Sequence, residues 1–240
     1  GNVTDSVVAT ELLRRIDWVI ETDEFLQFVG TRNSTGTNYN LFSAAYNAIA
    51  VGKTNGLHST GSPSVDSTYI TGRTRTEIVA PQTTTSAATP VVASTAALLI
   101  ETGHTNPSLS NESTTNRNGD TIYNAERSET IRAALLAGAD RFTKNLSFAS
   151  DITDYRSTGN QSINGLDSRY GAGQVNAYHS YHIIAAGEQN SLEDGGGNIT
   201  QYGFDYYPAF GCGSGSNNIA SHYLSTHTDP QFFTASLVWN

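Results

Sequence analysis

The sequence predicts an α/β fold, a mostly parallel sheet flanked by helices, with a β-rich extension at its C-terminal end. Three observations carry this. Short apolar runs stopped by Gly or Pro occur singly and not as hairpin pairs, helical patterns lie between them, and glycines and aromatics take over after Gly187. Single strands separated by helices favour parallel pairing, because a parallel neighbour can only be reached through a crossover. The same compositional change divides the chain into residues 1–186 and 187–240.

The elements follow in order. Thr4 or Asp5 can cap a helix over about residues 5–21, with Val8, Leu12, Ile16 and Val19 or Ile20 recurring on one face. Glu24 to Gly30 is an aromatic and β-branched run that reads as a buried strand feeding a polar loop. Ala48 to Gly52 predicts a second strand, and Glu77 to Pro81 a third, stopped by proline. Ser86 to Glu101 is almost wholly small and apolar, which predicts a helix buried all round. Asn106 to Asn118 reads as an unstructured polar loop. Ser128 is then expected to cap a helix ending at Gly138, and another helix begins near Gln174 and stops at Gly187. The closing run from Phe232 to Trp239 reads as a strand.

Composition narrows the function classes. The chain has 240 residues, with 13 Lys and Arg against 22 Asp and Glu, for a net charge of −9. Lysine occurs only at Lys53 and Lys144, so no basic stripe is present to neutralise phosphates, and nucleic acid is excluded as a partner. The longest apolar stretch, around Ala93 to Ile100, falls far short of the roughly 20 residues of a membrane span. Only 15% of residues are charged, so neutral hydroxyls and amides must cover the surface, which suits an extracellular or secreted protein. Cys212 is the single cysteine and cannot pair within the chain; with no activating cation nearby it reads as a small turn residue. Gly1 opens the chain without a methionine or an apolar leader behind it, as in a mature or trimmed chain.

The sharpest chemical feature is Thr84-Thr85-Ser86-Ala87-Ala88-Thr89-Pro90, at the mouth of the long apolar helix. A serine there has its hydroxyl at the positive helix end, among backbone N–H groups that can face a developing oxyanion. It can equally be an ordinary helix cap. At this point the chain resembles the subtilisin-like serine proteases, whose nucleophile motif Gly-Thr-Ser-x-Ala-x-Pro is matched by Thr85, Ser86, Ala88 and Pro90, with Thr84 in place of Gly. Three further stretches match in the same order. These are Tyr46 to Gly52, ending in Ala-Val-Gly; Glu77 to Pro81, ending in Ala-Pro; and Gly171 to Ala177, which resembles the Gly-x-Gly-x-Val-Asn-Ala turn into a late helix.

The resemblance implies peptide-bond hydrolysis by acyl transfer on a protein or peptide substrate, with Ser86 as nucleophile. By the same ordering, Phe28 to Asn33 resembles the strand end that carries the oxyanion-hole asparagine, which implies that role for Asn33, although Arg32 stands where the family has Gly. Asn33 is otherwise a turn residue, or the acceptor of the sequon Asn33-Ser34-Thr35. Asn33 and Ser86 should then face one another across a cleft.

Triads of this family run Asp, His, Ser along the chain, and His58, the only histidine ahead of Ser86, follows Asn33 on a polar turn, where it reads as a surface residue. Asp5, Asp17 and Asp23 belong to the first helix. The triad His and Asp are therefore expected in a preceding segment or separate chain that completes the fold. Residues 1–186 resemble the C-terminal part of the catalytic domain, and an exposed sheet edge is expected near the N-terminus unless another segment covers it.

No cofactor is evident. Structural calcium is implied by the resemblance alone, since Asp194, Asp205 and Asp229 form no calcium-loop pattern. His179 and His182 sit at i, i+3 without a third ligand at metal spacing, and Gly211 to Gly215 lacks the strand and helix that flank a phosphate loop. The alternative function is a catalytically inactive subtilisin-like scaffold serving as an extracellular surface or assembly protein. A sedolisin-type enzyme, with carboxylate partners, fits the stretch from Gly171 to Ala177 less well.

Overall fold

A computed structural model describes residues 5–36, 40–62, 64–141, 162–199, 201–208, 210–211, 218–224 and 233–238. Among the described residues the fold is mixed α/β, with four α-helices and small sheets. Strands β1 (Phe28–Gly30), β2 (Ile49–Lys53) and β3 (Ile78–Ala80) form a parallel sheet in that order. Phe28 pairs with Ile49 and Val51 with Ile78. Every residue of β2 is buried, as a central parallel strand covered on both faces requires.

Alternation along the strands divides the apolar residues between two cores. Ile49, Val51, Ile78 and Ala80 pack with Ala88, Val92, Ala96 and Leu99 of helix α2 (Thr85–Thr105). Val29 and Ala48 instead join Leu13 and Ile20 of helix α1 (Ser6–Asp23). Gly30 lets α2 approach closely, since a Cβ there would lie 2.9 Å from Thr89 Oγ1. In α1, Asp5 is the cap, its Oδ1 accepting from Val7 N–H at 2.8 Å. The buried residues are Ala9, Thr10, Leu13 and Ile20, so Ile20 is buried as expected while the N-terminal half of the face is turned by one position and Val8 is left exposed.

Helix α2 is not buried all round. Ser86, Ser94, Leu98 and Glu101 face outward, because the sheet and the segments around Ala125 cover one side only. The polar stretch after it is structured rather than loose. Strand β4 (Ser113–Thr115) pairs antiparallel with β5 (Thr121–Tyr123) around a turn in which Asn116 Oδ1 accepts from the N–H groups of Asn118 and Asp120, both at 3.0 Å. These bonds hold a hairpin that carries almost no apolar signal.

Helix α3 (Ser128–Ala137) begins with Ser128 as its first residue and not as its cap. The N–H of Ser128 donates to Glu24 Oε2 at 3.0 Å, so a carboxylate from the end of α1 satisfies it, and Arg127 holds the other oxygen of Glu24 at 2.5 Å. Helix α4 (Ala177–Ala185) starts later than expected, at its cap Asn176. The residues before it run beside β3 instead: Ala172 N–H donates to Glu77 O at 2.8 Å, Val79 N–H to Gly173 O at 2.9 Å and Val175 N–H to Val79 O at 2.9 Å.

After Gly187, Phe204 packs into the main core and β6 (Asn198–Ile199) pairs parallel with β7 (Tyr223–Leu224). The expected terminal strand does not form over residues 233–238, where Phe233 and Leu237 are exposed and no strand partner occurs among the described residues. Strand propensity without a neighbour to pair with does not make a strand.

Candidate functional site

Ser86 is the second residue of α2, and its hydroxyl is not the helix cap. Thr84 takes that role, its Oγ1 accepting from Ala87 N–H at 3.1 Å. Thr84 is extended at φ −130° and ψ 153°, a conformation open to any residue, so a threonine fits there without strain. The capping position is thus filled one turn-entry earlier, and Ser86 is left exposed.

Two bonds tie the exit of β1 to the start of α2. Asn33 Oδ1 accepts from Thr85 N–H at 2.8 Å, and Thr85 Oγ1 donates to Thr31 O at 2.5 Å. The first fixes which way the amide of Asn33 faces: its oxygen is engaged by the helix, and its Nδ2 hydrogens remain for other acceptors. Thr85 N–H is consumed by Asn33 and Ala87 N–H by Thr84, while no described residue accepts from Ser86 N–H. Asn33 and Ser86 line one cleft of about 970 Å³, together with Gly30, Thr31, Thr89 and Phe42. The sequence-predicted pair is therefore brought together.

The cleft carries no general base among its described lining, which contains no His, Asp or Glu. His58 does not supply one, and its expected place on the surface is corrected by the structure. It is fully buried beneath β2, its Nδ1 accepting from Lys53 N–H at 3.0 Å and its Nε2 2.7 Å from Arg169 O. Those partners assign the Nε2–H tautomer. Burial, with the cations of Lys53 and Arg169 adding to it, pushes its pKa down to about 4. Gly52 makes room for the ring, since a Cβ there would meet His58 Cε1 at 2.7 Å. The turn reads as polar because the partner that buries the ring, Arg169, lies 111 residues away in the chain.

The remaining candidates do not converge. His182 stacks on Tyr202 with 5.4 Å between ring centroids, and His179 Nδ1 lies 3.6 Å from Asp140 Oδ1. Asp205 sits 3.2 Å from His222, and Asp194 accepts from Ser191 Oγ at 2.8 Å. Among the described residues no group of three or more His, Cys, Asp or Glu is placed to hold a metal ion. Cys212 and Asp229 lie outside the described residues.

One buried cation was not singled out from the sequence. Lys53, at the C-terminal end of β2, is buried, and its Nζ lies 3.4 Å from Thr83 O in the loop that leads to α2. Burial lowers its pKa, and no described carboxylate pairs with it. Its position at the carboxyl end of a parallel strand was the available clue, since sites in such sheets gather there.

No protein-family model matches the chain, and no curated protein matches it.

Proposed function

We propose that the chain is the later portion of a subtilisin-like serine endopeptidase domain, residues 1–186, followed by the opening of a β-rich extension at 187–240, in a protein that works outside the cell. The observation that carries this reading is the exposed Ser86 hydroxyl, relieved of capping by Thr84, on one cleft with an Asn33 whose amide oxygen is already engaged. In the reaction, Ser86 Oγ bonds to the substrate carbonyl carbon as its proton leaves to a base. The oxyanion accepts from Asn33 Nδ2–H and Ser86 N–H; the base then gives its proton to the substrate nitrogen as the C–N bond breaks, the amine leaves, and water hydrolyses the acyl-enzyme. Losing one oxyanion donor costs about 10²- to 10³-fold in turnover, a figure set by subtilisin itself. The base and the carboxylate that orients it are proposed to come from a preceding segment or a separate chain, a reading supported by a described cleft lining without His, Asp or Glu.

The complete protein should label at Ser86 with a serine-directed fluorophosphonate, and Ser86→Ala should abolish labelling. Labelling that survives the substitution sinks the assignment. The absence of a titratable base from the described cleft lining favours a second reading, an inactive scaffold with a surface or assembly role. That reading is supported if the complete protein, intact and folded, does not label at all.

A further inference from the structure

The backbone of Arg32 is pinned through both of its polar groups by one buried residue. Arg32 N–H donates to Ser59 Oγ at 3.1 Å, and Ser59 N–H donates to Arg32 O at 2.9 Å. Thr60 N–H donates to Gly36 O at 3.0 Å, so the loop from Arg32 to Gly36 is held at both ends by residues 59–60. Asn33, next in the chain, is tied to Thr85 of α2. The root of the Arg32 side chain is therefore fixed, and Arg32 lines the same cleft as Asn33 and Ser86. In the described lining it is the one residue that carries a charge at neutral pH, since the others are apolar, hydroxyl or amide residues. A cation thus stands beside the nucleophile in a chain whose net charge is −9.

We propose that Arg32 sets the substrate preference of this cleft, selecting an acidic side chain, Glu or Asp, on the residue whose carbonyl Ser86 attacks. The proposal rests on the endopeptidase reading and names the substrate class. With the reacting carbonyl held between Asn33 and Ser86, the side chain of the same substrate residue leaves the backbone beside it, within reach of the residue that precedes Asn33. A guanidinium is always ionised and gives a carboxylate parallel N–H···O bonds, which a neutral amide of the same shape cannot match. The neighbouring Phe28, Phe42 and Pro90 are apolar, so the charge in this cleft is screened less than it would be in open water. A cationic side chain at the same place is repelled, which sharpens the selection. The resembling family has Gly where Arg32 stands, and Gly offers no side chain, so the preference follows from Arg32 itself and not from the resemblance.

The test is hydrolysis of acetyl-Ala-Ala-Glu-aminomethylcoumarin by the complete protein, against the Gln and Lys analogues that change one side-chain charge. The ratio of kcat/KM should favour Glu over Gln by about tenfold or more, with Lys below both. Arg32→Gln should bring the Glu-to-Gln ratio within about twofold, and Arg32→Glu should place Lys above Glu, an inversion that misfolding cannot produce. Raising the salt concentration should shrink the wild-type ratio. A wild-type ratio under about twofold overturns the proposal, as does a ratio that Arg32→Gln leaves unchanged. Faster cleavage of acetyl-Ala-Ala-Gln-Ala than of its C-terminal amide, without a Glu preference, overturns it in favour of recognition of a chain-terminal carboxylate. Fluorophosphonate labelling separates this proposal from the reading it rests on. Labelling at Ser86 without a Glu preference removes the role of Arg32 and leaves the peptidase. Without labelling, tighter binding of acetyl-Ala-Ala-Glu-amide than of its Gln analogue, lost in Arg32→Gln, leaves an anion-selective cleft and removes the peptidase; failure of both removes both.

Discussion

The two edges of the parallel sheet are finished in opposite ways. Beyond β3, residues 171–175 lie against the strand and bond to it from Glu77 to Val79, so the edge is sealed by backbone from nearly a hundred residues further along the chain. Beyond β1, single side-chain amides from Gln27 and Asn40 cover two carbonyls, and a cleft opens beside them. Backbone sealing fixes a sheet edge as part of the core. Capping by side chains blunts an edge without adding a further strand to it. Ser86 and Asn33 lie at the open edge, and the buried His58 belongs to the sealed side, tying the end of β2 to Arg169.

The largest effect is expected where the sealed edge crosses most tightly. Gly171 has φ +64°, and a Cβ there would fall 2.1 Å from Glu77 O. Gly171→Ala combines left-handed backbone strain with a clash against main chain that cannot rotate away, and should lower stability by about 3 kcal/mol or more. Urea unfolding should show a lower midpoint at unchanged slope. A loss under about 1 kcal/mol would show that the crossing is not what holds this edge.

Acid should act next, and on the same side. The pKa of His58 in the folded state is lowered to about 4 from an ordinary 6.5, so between those values the unfolded chain binds the extra proton. The contribution is intact above pH 6.5, declines as the pH falls through that window, and amounts to roughly 3 kcal/mol lost below pH 4. An NMR titration reads the ring directly. A His58 that titrates near 6.5 in the folded protein would contradict its burial, and one still neutral at pH 5 would support it.

The smallest effect belongs to the open edge. Gln27→Ala combined with Asn40→Ala removes two side-chain bonds at the edge, worth together about 1 kcal/mol. The freed carbonyls of Phe28 and Gly30 would complete a strand edge able to pair, so sedimentation should show stronger self-association with only a slight change in unfolding midpoint. A fall of several kcal/mol would instead make these amides part of the core.

Much of the sheet was legible because its apolar runs are short and bounded: the three expected strands and the long helix lie within a few residues of their observed places. The errors have physical causes. The β4–β5 hairpin is held by Asn116 and carries no apolar periodicity. Residues 171–175 carry too few side-chain signals to announce a backbone partner, so they read as the approach to a helix. The motif around Ser86 was visible as a motif, and its pairing with Asn33 was visible only as an order along the chain.

The sequence by itself determined where the chain can turn, which stretches must be buried, and that a serine stands at the entrance of an apolar helix. Those properties depend on residues close in sequence, on capping groups, apolar runs and glycines. Only the tertiary structure decided that Thr84 relieves Ser86 of capping, that Asn33 turns its oxygen to Thr85, that His58 is buried, and that among the described residues one sheet edge is met by backbone and the other by side-chain amides. Each of these depends on which hydrogen-bonding group meets which. For partners 52 residues apart, as Asn33 and Thr85 are, that is settled when the sheet and its helix pack together.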